Sequence, residues 1–162
     1  MERSAYYRAK WEPHRRVMAE VLRVAPRVKP GSVVVLTNVS HSIDPLVNGM
    51  WYDVALRLAY PHIRVGGAFF YNDGAPTTGN TYEAAGDRWQ PTRDAWAPQL
   101  KDARIEDTIV IDLAGAHATL STTMPRAACP AGCASSAYHP EARLLPGPPT
   151  REAIARYGPI SQ

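Results

Sequence analysis

No run of apolar residues in this chain approaches the roughly 20 that a bilayer-spanning helix needs. The first residues, MERSAYYRAKWEPHRR, lack the apolar core of a signal peptide. Glycine-rich phosphate motifs are also missing. Neither G-x-G-x-x-G nor G-x-x-x-x-G-K-[ST] occurs, so no nucleotide cofactor is expected. The five histidines, His14, His41, His62, His117 and His139, are scattered, with no H-E-x-x-H pair. Cysteine is scarce. Cys129 and Cys133, in CPAGC, are neither a C-x-x-C redox pair nor a four-ligand zinc pattern, so no metal and no other cofactor is expected. In an oxidising compartment they are candidates for a short-loop disulfide, and in a reducing one for two thiols. Low-complexity tracts and internal repeats are absent, which argues against disorder or a solenoid.

What is present fits one domain. A chain of 162 residues that is 45% hydrophobic and 20% charged has an ordinary globular composition. Proline is in excess: of 15 prolines, Pro125, Pro130, Pro140, Pro146, Pro148, Pro149 and Pro159 fall in the last quarter. We therefore expect an α/β core over 1–125 and an extended, proline-rich extension over 126–162 packed on the same domain. The net charge of +3 is uneven, because residues 1–29 hold eight Lys/Arg against three acids, or +5. Such a segment can attract nucleic acid or anionic lipid headgroups. The simpler reading is a solvated helix face, since Trp11, Val17, Met18, Val21, Leu22 and Ala25 recur at helical spacing with arginines between them.

Along the chain, a helix is expected to start near Pro13, because proline fits a first turn, and to end before Pro26 or at Lys29–Gly31. Ser32–Thr37, with three valines and a leucine, reads as a strand covered on both faces. In SIDP, Asp44 is placed to cap a second helix with Pro45 in its first position, and Leu46, Val47, Met50, Trp51, Val54, Leu58 and Ala55 form its apolar face. Ile63–Tyr71 reads as a second strand, with Gly66 and Gly67 as a weak point or bulge. Strand, helix, strand within about 40 residues implies a right-handed parallel crossover. Periodicity fades over 72–99, a length that in a compact domain signals a functional or mobile loop, or structure that periodicity misses. Thr108–Leu113 and His117–Thr122 then read as an antiparallel pair turning at Ala114 and Gly115. A last helix spans Thr150–Tyr157, capped by Thr150 and stopped by Gly158. The expected architecture is a small Rossmann-like three-layer α/β sheet, mainly parallel, with a C-terminal antiparallel hairpin.

In doubly wound sheets ligands sit beyond the C-terminal ends of the strands, which places Asn38, Ser40, His41 and Ser42 of TNVSHSID at a ligand-binding location. Asn38, Ser40 and Ser42 are the ligand-binding candidates. No glycine in that loop lets backbone approach a phosphate, and an Asp44 cap would occupy the helix N-terminus that a phosphate needs. His41 is a candidate base, with Asp44, or a carboxylate of the 72–99 loop such as Asp73, to orient it. Glu83, Asp87 and Asp94 share that loop, but their spacing does not match a calcium loop. Trp89, Trp96, Tyr71 and Tyr82 are candidates for stacking on a ligand, against the plainer role of anchoring the loop on the core.

Two phrases, APRVKPGSVVVL…YDVALRLAYP and YHPEARLLPGPPTREAIARYG, resemble the C-terminal soluble region of bacterial polytopic membrane proteins related to lipid-linked-sugar glycosyltransferases. In that family a transmembrane bundle precedes a small α/β domain on the extracytoplasmic face. The resemblance implies a noncatalytic accessory domain whose partners are a bundle encoded upstream and anionic lipid headgroups. It also implies an extracytoplasmic location if the chain is part of a longer protein, and a cytoplasmic one otherwise. It carries over no catalytic residue. Juxtamembrane Lys and Arg favour the cytoplasmic side instead. The alternatives are a stand-alone hydrolase or transferase using His41 with loop carboxylates, and a basic nucleic-acid-binding module.

Overall fold

The computed structural model describes residues 2–41, 48–92, 100, 103–124 and 138–158. Its elements in chain order are α1 (Glu2–Val24), β1 (Ser32–Val39), α2 (Gly49–Ala59), β2 (Val65–Tyr71), β3 (Tyr82–Ala85), β4 (Arg88–Pro91), β5 (Thr108–Asp112), β6 (Thr119–Leu120) and α3 (Arg151–Tyr157). The main sheet has the order β2-β1-β5-β6. β1 pairs in parallel with β2 and β5, and β6 runs antiparallel to β5. This is the Rossmann-like, mainly parallel α/β architecture that the sequence implies, closed by the antiparallel β5–β6 pair.

Side-chain alternation divides the core between the two faces of the sheet. Val34, Leu36, Phe69, Ile109 and Ile111 face the three helices, meeting Met18, Leu22, Leu56 and Tyr157. Val33, Val35, Ala68, Phe70 and Val110 face the other way, under Tyr82 and Trp89 of a two-stranded sheet, β3–β4. The third layer is therefore a β-hairpin, not helices. Its turn is the two-residue loop Gly86–Asp87, since Ala85 pairs with Arg88 and Gly86 takes φ 63°. Gly-Asp between two short runs is a hairpin signal. It is masked in the sequence by the neighbouring glycines and by Pro91.

Three local readings change. α1 starts at Glu2 with Pro13 inside it, because the packing of Met18, Val21 and Leu22 fixes the helix and its N-terminal extension tolerates a missing N–H. The cap of α2 is Asn48, whose side chain accepts a hydrogen bond from Trp51 N–H, 3.1 Å away. Asn and Asp cap equally well, so composition alone does not choose between them. Asp44 lies outside the described residues. Gly66 and Gly67 form no bulge: both pair in register with Val33 and Val34. They are sites of close approach, with Tyr82 over Gly66 and Leu56 and Tyr52 over Gly67.

β2 is an edge strand, and side chains close its outer row of backbone groups. Asp53 Oδ1 accepts from Gly67 N–H at 3.0 Å, and Asn80 both accepts from Phe69 N–H and donates to Phe69 C=O, each at 3.1 Å. An edge so covered offers no template for another strand. Within the extension, Arg143 ties 138–158 to the core through Ser32, Pro30 C=O and Asp107. α3 is capped by Thr150 and ended by Gly158 at φ 88°. No helix among the described residues is long and apolar enough to cross a membrane.

Candidate functional site

The chain leaves β1 through α2 on the helical face to reach β2. It then crosses back over β1 through the hairpin face to reach β5. The direction of winding therefore reverses between β1 and β5, and the crevice beyond their C-terminal ends is the topological switch point where such sheets hold ligands. An open cleft of about 360 Å³ lies there. Asn38, Val39 and Ser40 at the end of β1 form one wall, and Leu113, Ala116 and Ala118 in the β5–β6 connection form another. α1 closes it with Val17 and Glu20, and Arg16 stands at the wall as well.

The geometry of Asn38 comes from a bulge. Leu36 pairs with Phe69 and Val39 with Tyr71, so β1 carries one extra residue there, and Asn38 takes φ 57°. Asparagine is among the few side chains that tolerate the left-handed region. The bulge aims the amide across to β5, where Nδ2 donates to Asp112 Oδ1 at 2.7 Å. Bulges of this kind cluster beside binding sites because they redirect one side chain at a strand end.

α1 is fastened to the opposite wall by Glu20 and Arg23. Glu20 Oε2 accepts from Ala118 N–H and from Arg23, both at 2.8 Å, and Arg23 also donates to Ala118 C=O. Burial works to raise the Glu20 carboxyl. The hydrogen bonds from Arg23, Ala118 and His117 outweigh it and hold the group below the ordinary carboxylate range. The single carboxylate in the cleft wall is thus ionised, with its Oε2 engaged by Arg23 and the Ala118 N–H.

On the other side of β1, His41 Nε2 lies 3.2 Å from Asp73 Oδ2, and the His41 ring stacks on Tyr71 with centroids 3.9 Å apart. The structure thus brings together two of the candidate catalytic residues, 32 positions apart in sequence. Asp73 sits in the turn after β2, where Ala75 N–H and then His41 hold its carboxyl below the usual range. The two side chains are 57% and 58% exposed, so water screens the pair. Among the described residues the side-chain hydrogen bond of His41 is to Asp73, a carboxylate and not a nucleophilic hydroxyl.

Asn38 and Ser40 line the cleft; Ser42, Cys129 and Cys133 lie outside the described residues. Glu83 is exposed on β3, and Asp87 in the hairpin turn faces Arg88; neither joins His41. Tyr82 and Trp89 are core anchors at 1% exposure. Among the described residues no three His, Cys, Asp or Glu side chains group as metal ligands. Sequence reasoning did not single out Asp112 or Glu20. Asp112 ends an apolar strand much as Asn38 does, but only the strand order makes the two neighbours. Glu20 gives no sequence signal beyond its place on a helix.

A different surface comes from the helical layer. The exposed large hydrophobics of the described residues are Trp11 (47%), Trp51 (52%), Leu58 (42%) and Ile154 (39%), and all four belong to α1, α2 or α3. α2 buries Tyr52, Ala55, Leu56 and Ala59, so the stripe Trp51–Leu58 that periodicity assigned to the core is turned outward. Trp11 stacks on Tyr157 at 6.4 Å, and Tyr157 donates to Ala55 C=O at 3.0 Å, which places these residues around α3. Arg15, Arg16, Arg151 and Arg156 share the layer with Glu12 and Glu152, four positive charges against two negative, or +2. Arg15 and Arg16 both pair with Glu12 at 3.3 Å.

In comparisons with known proteins, no family model matches the chain, and no curated protein or solved structure is significantly similar to it.

Proposed function

We propose that the chain acts as a noncatalytic α/β accessory domain of a membrane glycosyltransferase-like protein, seated by its helical face on the anionic lipid headgroups around a transmembrane bundle. The observation that carries this reading is that the exposed large apolar side chains of the described residues all lie on the three helices, which also carry Arg15, Arg16, Arg151 and Arg156. Tryptophan and arginine are the side chains that an anionic membrane interface favours. A helix with one apolar side in the core and a second in water, as α2 has, is unusual for a free surface. The noncatalytic part of the reading draws support from the carboxylate in the cleft wall, Glu20, which is engaged by Arg23 and the Ala118 N–H.

Co-sedimentation with phosphatidylcholine vesicles, with and without phosphatidylglycerol, tests the seating. The domain is expected to bind the anionic vesicles and to release as salt is raised. Each of Trp11→Ser, Trp51→Ser and Leu58→Ser should weaken binding by roughly tenfold at most, from the apolar area that insertion buries, without unfolding. Binding to neutral vesicles alone, or binding indifferent to all three substitutions, would exclude this face as the seat.

A second reading follows the His41–Asp73 contact. A stand-alone hydrolase or transferase would use His41 as a base oriented by Asp73. On that reading His41→Ala lowers turnover of activated ester or glycoside substrates by about a hundredfold or more with near-UV circular dichroism intact. Turnover at the wild-type rate would remove His41 from the chemistry.

A further inference from the structure

The switch-point cleft makes a separate statement about ligand chemistry, independent of membrane seating. Its wall is apolar over Val17, Val39, Leu113, Ala116 and Ala118. Its volume of about 360 Å³ falls at the small end of small-molecule sites, which run from about 300 to 1,000 Å³. Its charged groups have partners inside the protein. Glu20 is held by Arg23 and the Ala118 N–H, and Arg16 shares Glu12 with Arg15. An anionic ligand would meet the Glu20 carboxylate, and a cationic one would meet Arg16 and compete with Arg23 for Glu20.

Asn38 supplies the polar end. Because the Asp112 carboxylate only accepts, the nitrogen of the Asn38 amide must face it, and the amide oxygen is left as the acceptor. No hydrogen bond among the described residues uses that oxygen. The φ of 57° and the bulge in β1 hold the amide in place before any ligand arrives. Preorganisation of that kind favours binding because the ordering has been done on folding.

We propose that this cleft binds a neutral, predominantly apolar small molecule carrying one hydroxyl or N–H donor. Its apolar body lies against Val17, Val39 and Leu113, and its donor is bound by Asn38 Oδ1. The probes are hexanol, pentyl methyl ether, hexanoate and hexylammonium, read by amide chemical shifts of the full chain. Hexanol is expected to shift Val39, Ser40, Gly115, Ala116 and Ala118 with a Kd of roughly millimolar order, and to bind about tenfold tighter than the ether, which has no donor. Ala116→Trp, at an exposed position, should fill the cleft and abolish these shifts with the remaining spectrum unchanged. Asn38→Gly keeps the left-handed backbone accessible and should erase the preference for hexanol over the ether while apolar binding persists. The proposal fails if hexanol shifts nothing at the cleft, if hexanoate or hexylammonium binds tighter than hexanol, or if Asn38→Gly retains the preference. None of these outcomes depends on vesicle binding.

Discussion

Trp89→Ala is expected to lower the unfolding free energy by about 3 to 5 kcal/mol. That is a large part of the roughly 5 to 15 kcal/mol that holds a domain folded. Trp89 is 1% exposed and is among the largest fully buried side chains. It anchors the β3–β4 hairpin on Val33, Val35 and Val110, and its Nε1 donates to the buried Thr108 hydroxyl at 2.7 Å. Truncation opens a cavity and leaves Thr108 without that partner, so two costs add. At about 2 to 4 °C per kcal/mol for a chain of this size, thermal unfolding should shift down by roughly 10 °C. Trp89→Phe should fall between, because it keeps most of the volume and loses the hydrogen bond. A loss under about 1 kcal/mol for Trp89→Ala would mean that the hairpin is not part of the core.

Gly67→Val separates local propensity from packing by sign. Valine favours strands and glycine weakens them, so propensity alone predicts a gain of up to about 1 kcal/mol. The structure predicts the reverse, a loss of about 3 kcal/mol, because overpacking a filled core forces side chains and backbone to move. A Cβ at Gly67 would come within 2.5 Å of Leu56 Cδ1 and 2.9 Å of the Tyr52 ring. Retreat of α2 is resisted by Asp53, which accepts from Gly67 N–H at 3.0 Å and pairs with Arg57 at 2.9 Å. Burial pushes the Asp53 carboxyl up, and Arg57 and Gly67 only partly offset that, so losing the Gly67 bond removes one of the two partners that offset its burial. Urea denaturation measures the change. A valine variant as stable as the wild type would show that α2 can move away from the sheet.

The elements legible in the sequence were those whose signal is local. Ser32–Val39 carries a valine run between a Pro-Gly break and a polar loop, and α3 carries its own cap and stop in Thr150 and Gly158. The pair β5–β6 was legible from two short runs about a turn. The hairpin was not, because its four-residue strands are stabilised by Tyr82 and Trp89 packing on a sheet elsewhere in the chain. The face of α2 was misread for a related reason. Its apolar residues form two stripes, and periodicity cannot tell which one meets the sheet.

For the candidate site the division is similar. The sequence by itself determined the fold class, the position of Asn38, Ser40 and His41 at a strand end, and the absence of a glycine phosphate loop, since these depend on composition and short-range order. Tertiary structure alone decided that Asn38 meets Asp112 across 74 positions, that Glu20 closes the cleft through Ala118, that Asp73 reaches His41, and that Trp51 and Leu58 face water. Each of those depends on strand order and helix rotation, which are set by how the whole apolar surface is buried at once.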